Sequence, residues 1–215
     1  MSFFSNFSSD RCPGTISGNP LNGLCEKVCI QAEKIFDAGI VQTRIENYAV
    51  AIGDLPEGTT YPLTFVSARS IGAATVSNVS VERQTDGCNA RVQATVNIPI
   101  QIVFVDASGR DGTTTGTISL AQDVIMYVPP ASVMPFTVTA VASSVSPDGS
   151  YDEGSRSFLL SACVTVILKI SMQVELLVPS YGYCAIPPAQ EYTHEVCTGF
   201  FELPLYPQGR ACSKK

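Results

Sequence analysis

Residues 92–104 read VQATVNIPIQIVF, and every second side chain in this stretch is apolar. Residues 162–176, which read ACVTVILKISMQVEL, repeat the same alternation over a longer span. Successive side chains of a strand point to opposite faces of a sheet, so each stretch predicts a strand with one buried face and one solvent-facing face. An ordinary strand has about five or six residues, and strands of this length are typical of a structural scaffold.

Shorter alternating segments surround these two stretches and predict further strands at residues 40–52, 63–67, 75–83, 117–128 and 136–145. Residues 24–36 are ambiguous: their apolar positions fit a helix face or an alternating strand, and we favour a strand over residues 27–36. Glycine-rich and aspartate-rich turns are expected at residues 106–112 and 146–155. The predicted fold is all-β, an antiparallel β-sandwich or jelly-roll-like domain with an extended N-terminal arm.

Three segments are predicted from the composition along the chain. Residues 1–24 form an arm rich in Ser, Asn, Gly and Pro, residues 25–207 form the β domain, and residues 208–215 form a tail. The arm is unusual because it carries Phe3, Phe4 and Phe7, aromatic side chains that need a surface on which to dock. We expect the arm to connect one subunit to the next.

The charge content excludes two classes of partner. Charged residues make up 15% of the 215 residues, and the formal net charge is −6. Nucleic-acid binding needs clustered Lys and Arg, and the only two of these residues that are adjacent in the sequence are Lys214 and Lys215. No run of about 18 apolar residues exists, so no membrane-spanning helix is expected. Neither nucleic acid nor a membrane is therefore an expected partner.

The chain has one histidine, His194, and no tryptophan, and it lacks the Gly-x-Ser-x-Gly and phosphate-loop motifs. We therefore predict no enzyme activity, no catalytic residue, no cofactor and no metal. Two metal hypotheses stay open as alternatives. One uses Cys184, His194 and Cys197; the other places calcium on acidic turns, for which solvated turns are the simpler interpretation. The turn acids are Asp106, Asp111, Asp148, Asp152 and Glu153.

Eight cysteines are the strongest chemical signal, although 105 pairings are possible and the sequence does not choose among them. Cysteines in or near the ends of a chain reach neighbouring molecules most easily. The candidates for cross-links between subunits are Cys12, Cys25, Cys29 and Cys212. The candidates for disulfides within one chain are Cys88, Cys163, Cys184 and Cys197, and the alternation places Cys163 on the polar face of its predicted strand. The alternative is that all eight cysteines form intrachain disulfides or stay free thiols, with no bond between subunits.

The N-terminal residues lack the basic and apolar regions of a secretory signal, which conflicts with so many cysteines in a reducing cytosol. A trimmed signal or metal-binding cysteines would resolve the conflict. So would synthesis in a bacterial mother cell that releases the protein by lysis, as spore-coat proteins are released.

Four segments resemble a family of small clostridial proteins of the spore surface. They are LCEKVCIQAEKIFD at residues 24–37, VELLVPSYGYC at 174–184, PPAQEY at 187–192 and GFFELPLYP at 199–207. The resemblance implies a spore-envelope component. A β domain with a cysteine-bearing arm is also similar in plan to pilin-like endospore appendage subunits, whose arms dock into neighbouring subunits.

These observations predict a self-assembling subunit of an extracellular fibre, tube or coat layer on bacterial spores. The subunit would polymerise by arm or strand addition and be locked by disulfides. Its expected partners are copies of itself, with other spore-coat proteins as further candidates. The alternative is a monomeric β-sandwich module that binds carbohydrate or a cell-wall polymer through Tyr181, Tyr183, Tyr192 and Tyr206.

Overall fold

The structure, a computed structural model, describes residues 18–85 and 89–184, which contain seven β-strands and no helix. The strands are β1 Glu26–Ala51, β2 Thr64–Ser70, β3 Thr75–Arg83, β4 Asn89–Val105, β5 Asp111–Tyr127, β6 Thr137–Asp152 and β7 Ser157–Ser180. They form one sheet in the order β1-β7-β6-β2-β4-β3, and β5 pairs with β4. The all-β prediction is therefore confirmed, as an antiparallel, sandwich-like fold.

The core lies between the apolar faces of the two longest predicted strands. Alternate residues of β4 and of β7 are almost completely buried, as the alternation predicted. Although β6 and β2 separate β7 from β4 in the sheet, Phe104 and Phe158 lie 6.2 Å apart between ring centroids, and Phe65 and Phe158 lie 6.0 Å apart. The sheet therefore curls so that two parts of its apolar face pack against each other. This packing resembles that between the two sheets of a β-sandwich.

Pro99 lies in the middle of β4, where a proline normally argues against a central strand because it lacks an N–H group. The structure accommodates it at a gap between two neighbours: β3 pairs with residues 90–97 and β2 pairs with residues 100–105. Ile71, in the connection between β2 and β3, donates its N–H to the Pro99 carbonyl at 2.9 Å. No ladder hydrogen bond is lost there.

Two local predictions have different outcomes. The strand interpretation of residues 27–36 is confirmed, because β1 runs without interruption from Glu26 through Gly39 to Ala51. The turn predicted at residues 146–155 is wrong over most of its length, because β6 continues to Asp152 and only residues 153–156 turn. A β-bulge between Val145 and Asp148 absorbs the irregular sequence, and the one proton of the buried Ser146 hydroxyl is shared between a carbonyl of β6 and a carbonyl of β7.

Contacts within the chain divide it into two units, Gln31–Val174 and Met1–Ile30 with Glu175–Lys215. In the described part of the latter unit, the Cys25 N–H donates to the Ser180 carbonyl at 2.9 Å. The Tyr181 hydroxyl donates to the Pro20 carbonyl. The predicted boundaries at residues 24 and 207 stay predictions.

Candidate assembly interface

β5 is an edge strand along its whole length. It pairs with β4 through 17 consecutive residue pairs without a bulge, and it has no other sheet partner in the described parts of the chain. An edge strand presents a row of unpaired N–H and C=O groups, which can pair with another strand. The residues that approach this edge therefore decide whether it is available.

β1 and the residues just after it form hydrogen bonds to the open edge of β5 at three places. The Tyr48 hydroxyl accepts the Ser119 N–H at 3.1 Å and lies 3.0 Å from the Ser119 carbonyl, to which it donates. The Asp37 carboxylate accepts the Tyr127 N–H at 2.8 Å. Just beyond β1, the Gly53 N–H donates to the Thr115 carbonyl at 2.8 Å.

These contacts fix the direction of every backbone group on β5. In an antiparallel strand, the N–H and C=O of one residue point to the same side, and the side alternates from residue to residue. Because Thr115, Ser119 and Tyr127 point away from β4, Ala121 and Asp123 do so too. Neither has a backbone partner on that side within the described residues.

A slot of about 460 Å³ separates β1 from β5 between the Asp37 and Tyr48 contacts. A phenol ring spans the gap at Tyr48, so the two backbones stand farther apart there than the ~4.8 Å of paired strands. The slot is lined by Val41, Thr43 and Ile45 of β1 and by residues 120–124 of β5, which are Leu, Ala, Gln, Asp and Val. The slot is thus a gap between two strands, and most of the side chains that line it are apolar.

Gln122 is the unusual residue of this slot. Its side chain is only 8% exposed and lies on the inward face of β5, between Leu120 and Val124, yet it makes no hydrogen bond to any described residue. Every completely enclosed side-chain N or O atom of the described residues has a partner, so the Gln122 amide is not sealed off and opens into the slot. The amide therefore stays open to solvent from the slot and can bond with a polar group that enters it.

The outward face of β5 beside the slot is held by an ion pair. Arg91 of β4 donates to both carboxylate oxygens of Asp123, and Gln93 donates to the same carboxylate at 3.1 Å. The hydrogen bond from Arg91 is the main cause that lowers the pKa of Asp123 below its usual range. These side chains hold β5 against β4 and leave its opposite edge open.

All four cysteines in the described residues are exposed free thiols: Cys25, Cys29, Cys163 and Cys184. Cys25 and Cys29 stand four residues apart on extended chain, about 13 Å, which exceeds the reach of a disulfide. Cys163 lies on the outward face of β7, opposite Val145, as predicted from the alternation. Exposed thiols at these places can reach a second molecule.

Several predicted site residues lie outside the described residues. They are Phe3, Phe4, Phe7, Cys12, Cys88, Cys197 and Cys212, together with His194 of the metal hypothesis. The cross-link assignments, the intrachain pairings and the docking role of the arm therefore stay predictions.

The acidic turns hold no group of three possible metal ligands within residues 18–85 and 89–184. The expectation of a solvated turn is wrong for Asp106, which is 6% exposed. Its carboxylate accepts the Ser108 N–H at 2.9 Å, the Ser108 hydroxyl at 2.6 Å and the Arg110 N–H at 3.0 Å. These donors, with Ser108 contributing most, lower the pKa of Asp106, which makes the carboxylate a structural part of the turn.

The tyrosine cluster of the alternative function is described only in part. Tyr181 and Tyr183 follow β7, whereas Tyr192 and Tyr206 lie outside the described residues. The Tyr181 hydroxyl is engaged with Pro20, and Tyr183 is half exposed. In the described ranges, no helix is long and apolar enough to cross a membrane.

Sequence reasoning missed the slot, although it left a trace. Ile118, Leu120, Val124 and Met126 form the apolar face of β5, and Gln122 interrupts this face at its centre. A polar residue at an inward position is the signal that could have marked the place. The position of β1 against β5 depends on long-range packing and left no such trace.

Over 63 residues the chain is 40% identical to exosporium protein A of Clostridium sporogenes (strain ATCC 15579). The match covers 26% of this chain and 20% of that protein, so the chain spans about a fifth of the length of this relative. No protein-family model matches the chain, and no solved structure matches it. The resemblance to clostridial spore-surface proteins is thus supported for part of the chain.

Proposed function

We propose that this chain is a structural subunit of an extracellular layer or fibre on bacterial spores. In this proposal copies of the chain polymerise by strand addition and are locked by disulfides, without an enzymatic step. The partial similarity to an exosporium protein supports the location, and other spore-coat proteins are candidate partners. The observation that carries the assembly mechanism is the open edge of β5, which has backbone donors and acceptors but no strand partner among the described residues.

The edge geometry favours a contact that propagates. A strand donated by one subunit to the edge of the next is a heterologous contact, and such contacts continue into filaments or sheets unless they close a ring. Long edge strands are normally blocked by charge, proline or cover because they pair with other chains. Here the Ala121–Asp123 portion contains no proline, its one charge, on Asp123, is paired with Arg91, and the slot separates it from β1.

The exposed thiols favour a covalent lock after docking. Two thiols from neighbouring subunits can form one disulfide, releasing two protons and passing two electrons to an oxidant such as dioxygen. Cys25 and Cys29 are available at the start of β1, and Cys12 and Cys212 extend the choice to both ends of the chain. A spore surface is exposed to oxidant, where such bonds persist.

Electron microscopy and gels test this function together. We expect the full-length, oxidised protein to form fibres or sheets, and to give a ladder of bands without reductant that collapses to one band with it. The control is the protein with Cys12, Cys25, Cys29 and Cys212 changed to Ser, which should lose the ladder but keep reversible assembly. Isolated globules under all conditions, with one unlinked band, would contradict the proposal.

A further inference from the structure

The slot between β1 and β5 lies along five consecutive residues of a strand edge that has no partner in the described parts of the chain. On β5 it offers the N–H and C=O groups of Ala121 and Asp123, and its two walls are separate strands with a gap between them. A single inserted strand would pair with the β5 edge and fill the space beside β1. The occupant must therefore be extended, must keep its N–H groups and must match the side chains of the walls.

Both walls have the same pattern along the chain. On β1 the lining residues alternate as Val41, Thr43 and Ile45, and on β5 the inward residues are Leu120, Gln122 and Val124. Each wall thus presents apolar, polar and apolar side chains at a spacing of two residues. The two apolar positions are four residues apart, about 13 Å.

One segment outside the described residues has the complementary pattern. Phe3, Ser5 and Phe7 are two residues apart, so in an extended segment they share a face with an apolar, a polar and an apolar group. Phe3 and Phe7 then match the apolar pairs of both walls. Ser5 comes opposite Gln122, where its hydroxyl can bond with the amide that has no partner among the described residues.

The other end of the chain fits less well. Residues 185–215 contain prolines at 187, 188, 204 and 207, and the proline-free run at 189–203 carries Glu191, Glu195 and Glu202. A proline lacks the N–H that an inserted strand needs, and glutamates would face the carboxylate of Asp123. Residues 1–12 contain no proline, and their first charged side chain is Asp10.

We propose that the slot between β1 and β5 binds residues 3–7 of a second copy of this chain, with Ser5 opposite Gln122. The inference rests on the proposed assembly function and assigns its acceptor site and its occupant. Each copy has one slot and one N-terminal segment, so the contact repeats from copy to copy.

Photo-cross-linking of the full chain tests the occupant. Benzoylphenylalanine replaces Thr43 in the slot, copies labelled with ¹⁴N and ¹⁵N are mixed in equal amounts, and the assembled product is irradiated, digested and analysed by mass spectrometry. We expect adducts between the slot and residues 1–11, about half of them joining copies of different label. Adducts with residues 185–215, or adducts without mixed label, overturn the proposal.

Two matched proline variants test the site without cross-linking. Ala121→Pro removes an N–H that points into the slot, and Thr117→Pro removes an N–H of the same orientation outside it, so neither disturbs the pairing with β4. We expect Ala121→Pro to lower the assembled fraction at least tenfold and Thr117→Pro to leave it within twofold. Equal effects of the two variants overturn the proposal.

A second pair of variants covers the case in which a proline disturbs folding. Ser5→Ala and Gln122→Leu should each weaken assembly severalfold, and their combination should be no worse than the single change, because both remove the same hydrogen bond. Independent, multiplying losses contradict the assigned register. Fibres that form without slot adducts overturn this inference alone, whereas no polymer at all removes the proposed function and the inference with it.

Discussion

β4 and β5 are neighbouring strands of 17 residues each, paired residue for residue, yet they have opposite roles. β4 has partners on both edges and large apolar side chains along its inward face. Within residues 18–85 and 89–184, β5 has a sheet partner on one edge only, and its inward face contains Gly112, Thr114, Gly116 and Gln122. The difference shows how one sheet separates a strand that holds the fold together from a strand kept open for binding.

The largest effect on the free energy of unfolding should come from shortening an inward isoleucine of β4, compared with the same change at an outward isoleucine of β5. Ile98→Ala on β4 removes a side chain that is 1% exposed, so we expect a loss of about 2–5 kcal/mol in the free energy of unfolding because a cavity remains. Ile125→Ala on β5, at 65% exposure, should change it by less than about 0.5 kcal/mol. Urea unfolding measures both. Similar losses would contradict the outward, exposed position of Ile125 on β5.

The next effect concerns the close approach of β1 to β5. A Cβ atom added at Gly116 would overlap the Cγ1 atom of Val50, so Gly116→Ala should cost about 1–3 kcal/mol through overpacking. Val50→Ala combined with Gly116→Ala should cost less than the sum of the two single changes in a thermal or urea unfolding series. Additive costs would show that the two strands are not in contact there.

A smaller effect is expected from the hydroxyl that bridges the two strands. Tyr48→Phe keeps the ring but removes the group that bonds both Ser119 N–H and Ser119 C=O, and should cost about 0.5–1.5 kcal/mol. Hydrogen exchange of the Ser119 amide should accelerate, whereas exchange at residue 118, which faces β4, should not. Unchanged exchange at Ser119 would contradict the bridge.

The smallest effect on stability should accompany a large effect on assembly. Gln122→Leu replaces an amide that is open to the slot by an apolar side chain of similar size, so the unfolding free energy of the monomer should change by less than about 1 kcal/mol. Gln101→Leu, on the outward face of β4, is the control. A marked destabilisation by Gln122→Leu would show that the amide already has a partner in the free subunit.

Local patterns predicted most strands because burial on one face imposes a two-residue period on the sequence. Residues 92–104 and 162–170 follow this rule throughout, whereas Ser171 is completely buried although it lies on the other face. The rule fails beyond Met172, where the alternation continues but Leu176 is 41% exposed, because a period records which residues share a face and not whether that face is covered. The turn at 146–155 was misjudged because its Ser, Pro, Asp and Gly residues also suit a β-bulge.

The candidate site was less predictable than the strands. Composition and cysteine positions suggested assembly, and the structure adds that Cys25, Cys29, Cys163 and Cys184 are exposed. The slot lies between the hydrogen bonds that Tyr48 and Asp37 form with β5. The residues joined by these bonds are 71 and 90 positions apart in the sequence. Such contacts have no local periodicity, so nothing near them in the sequence announces them.

By itself, the sequence determined the fold class, the two core strands and the outward position of Cys163, because strand geometry links residue spacing directly to the face of the sheet. Only the tertiary structure decided that β5 keeps an open edge, that a gap separates β1 from it between Asp37 and Tyr48, and that Gln122 faces this gap with no partner among the described residues. The physical reason is that an edge is defined by what does not pair with it, and pairing between distant strands is a property of the whole sheet.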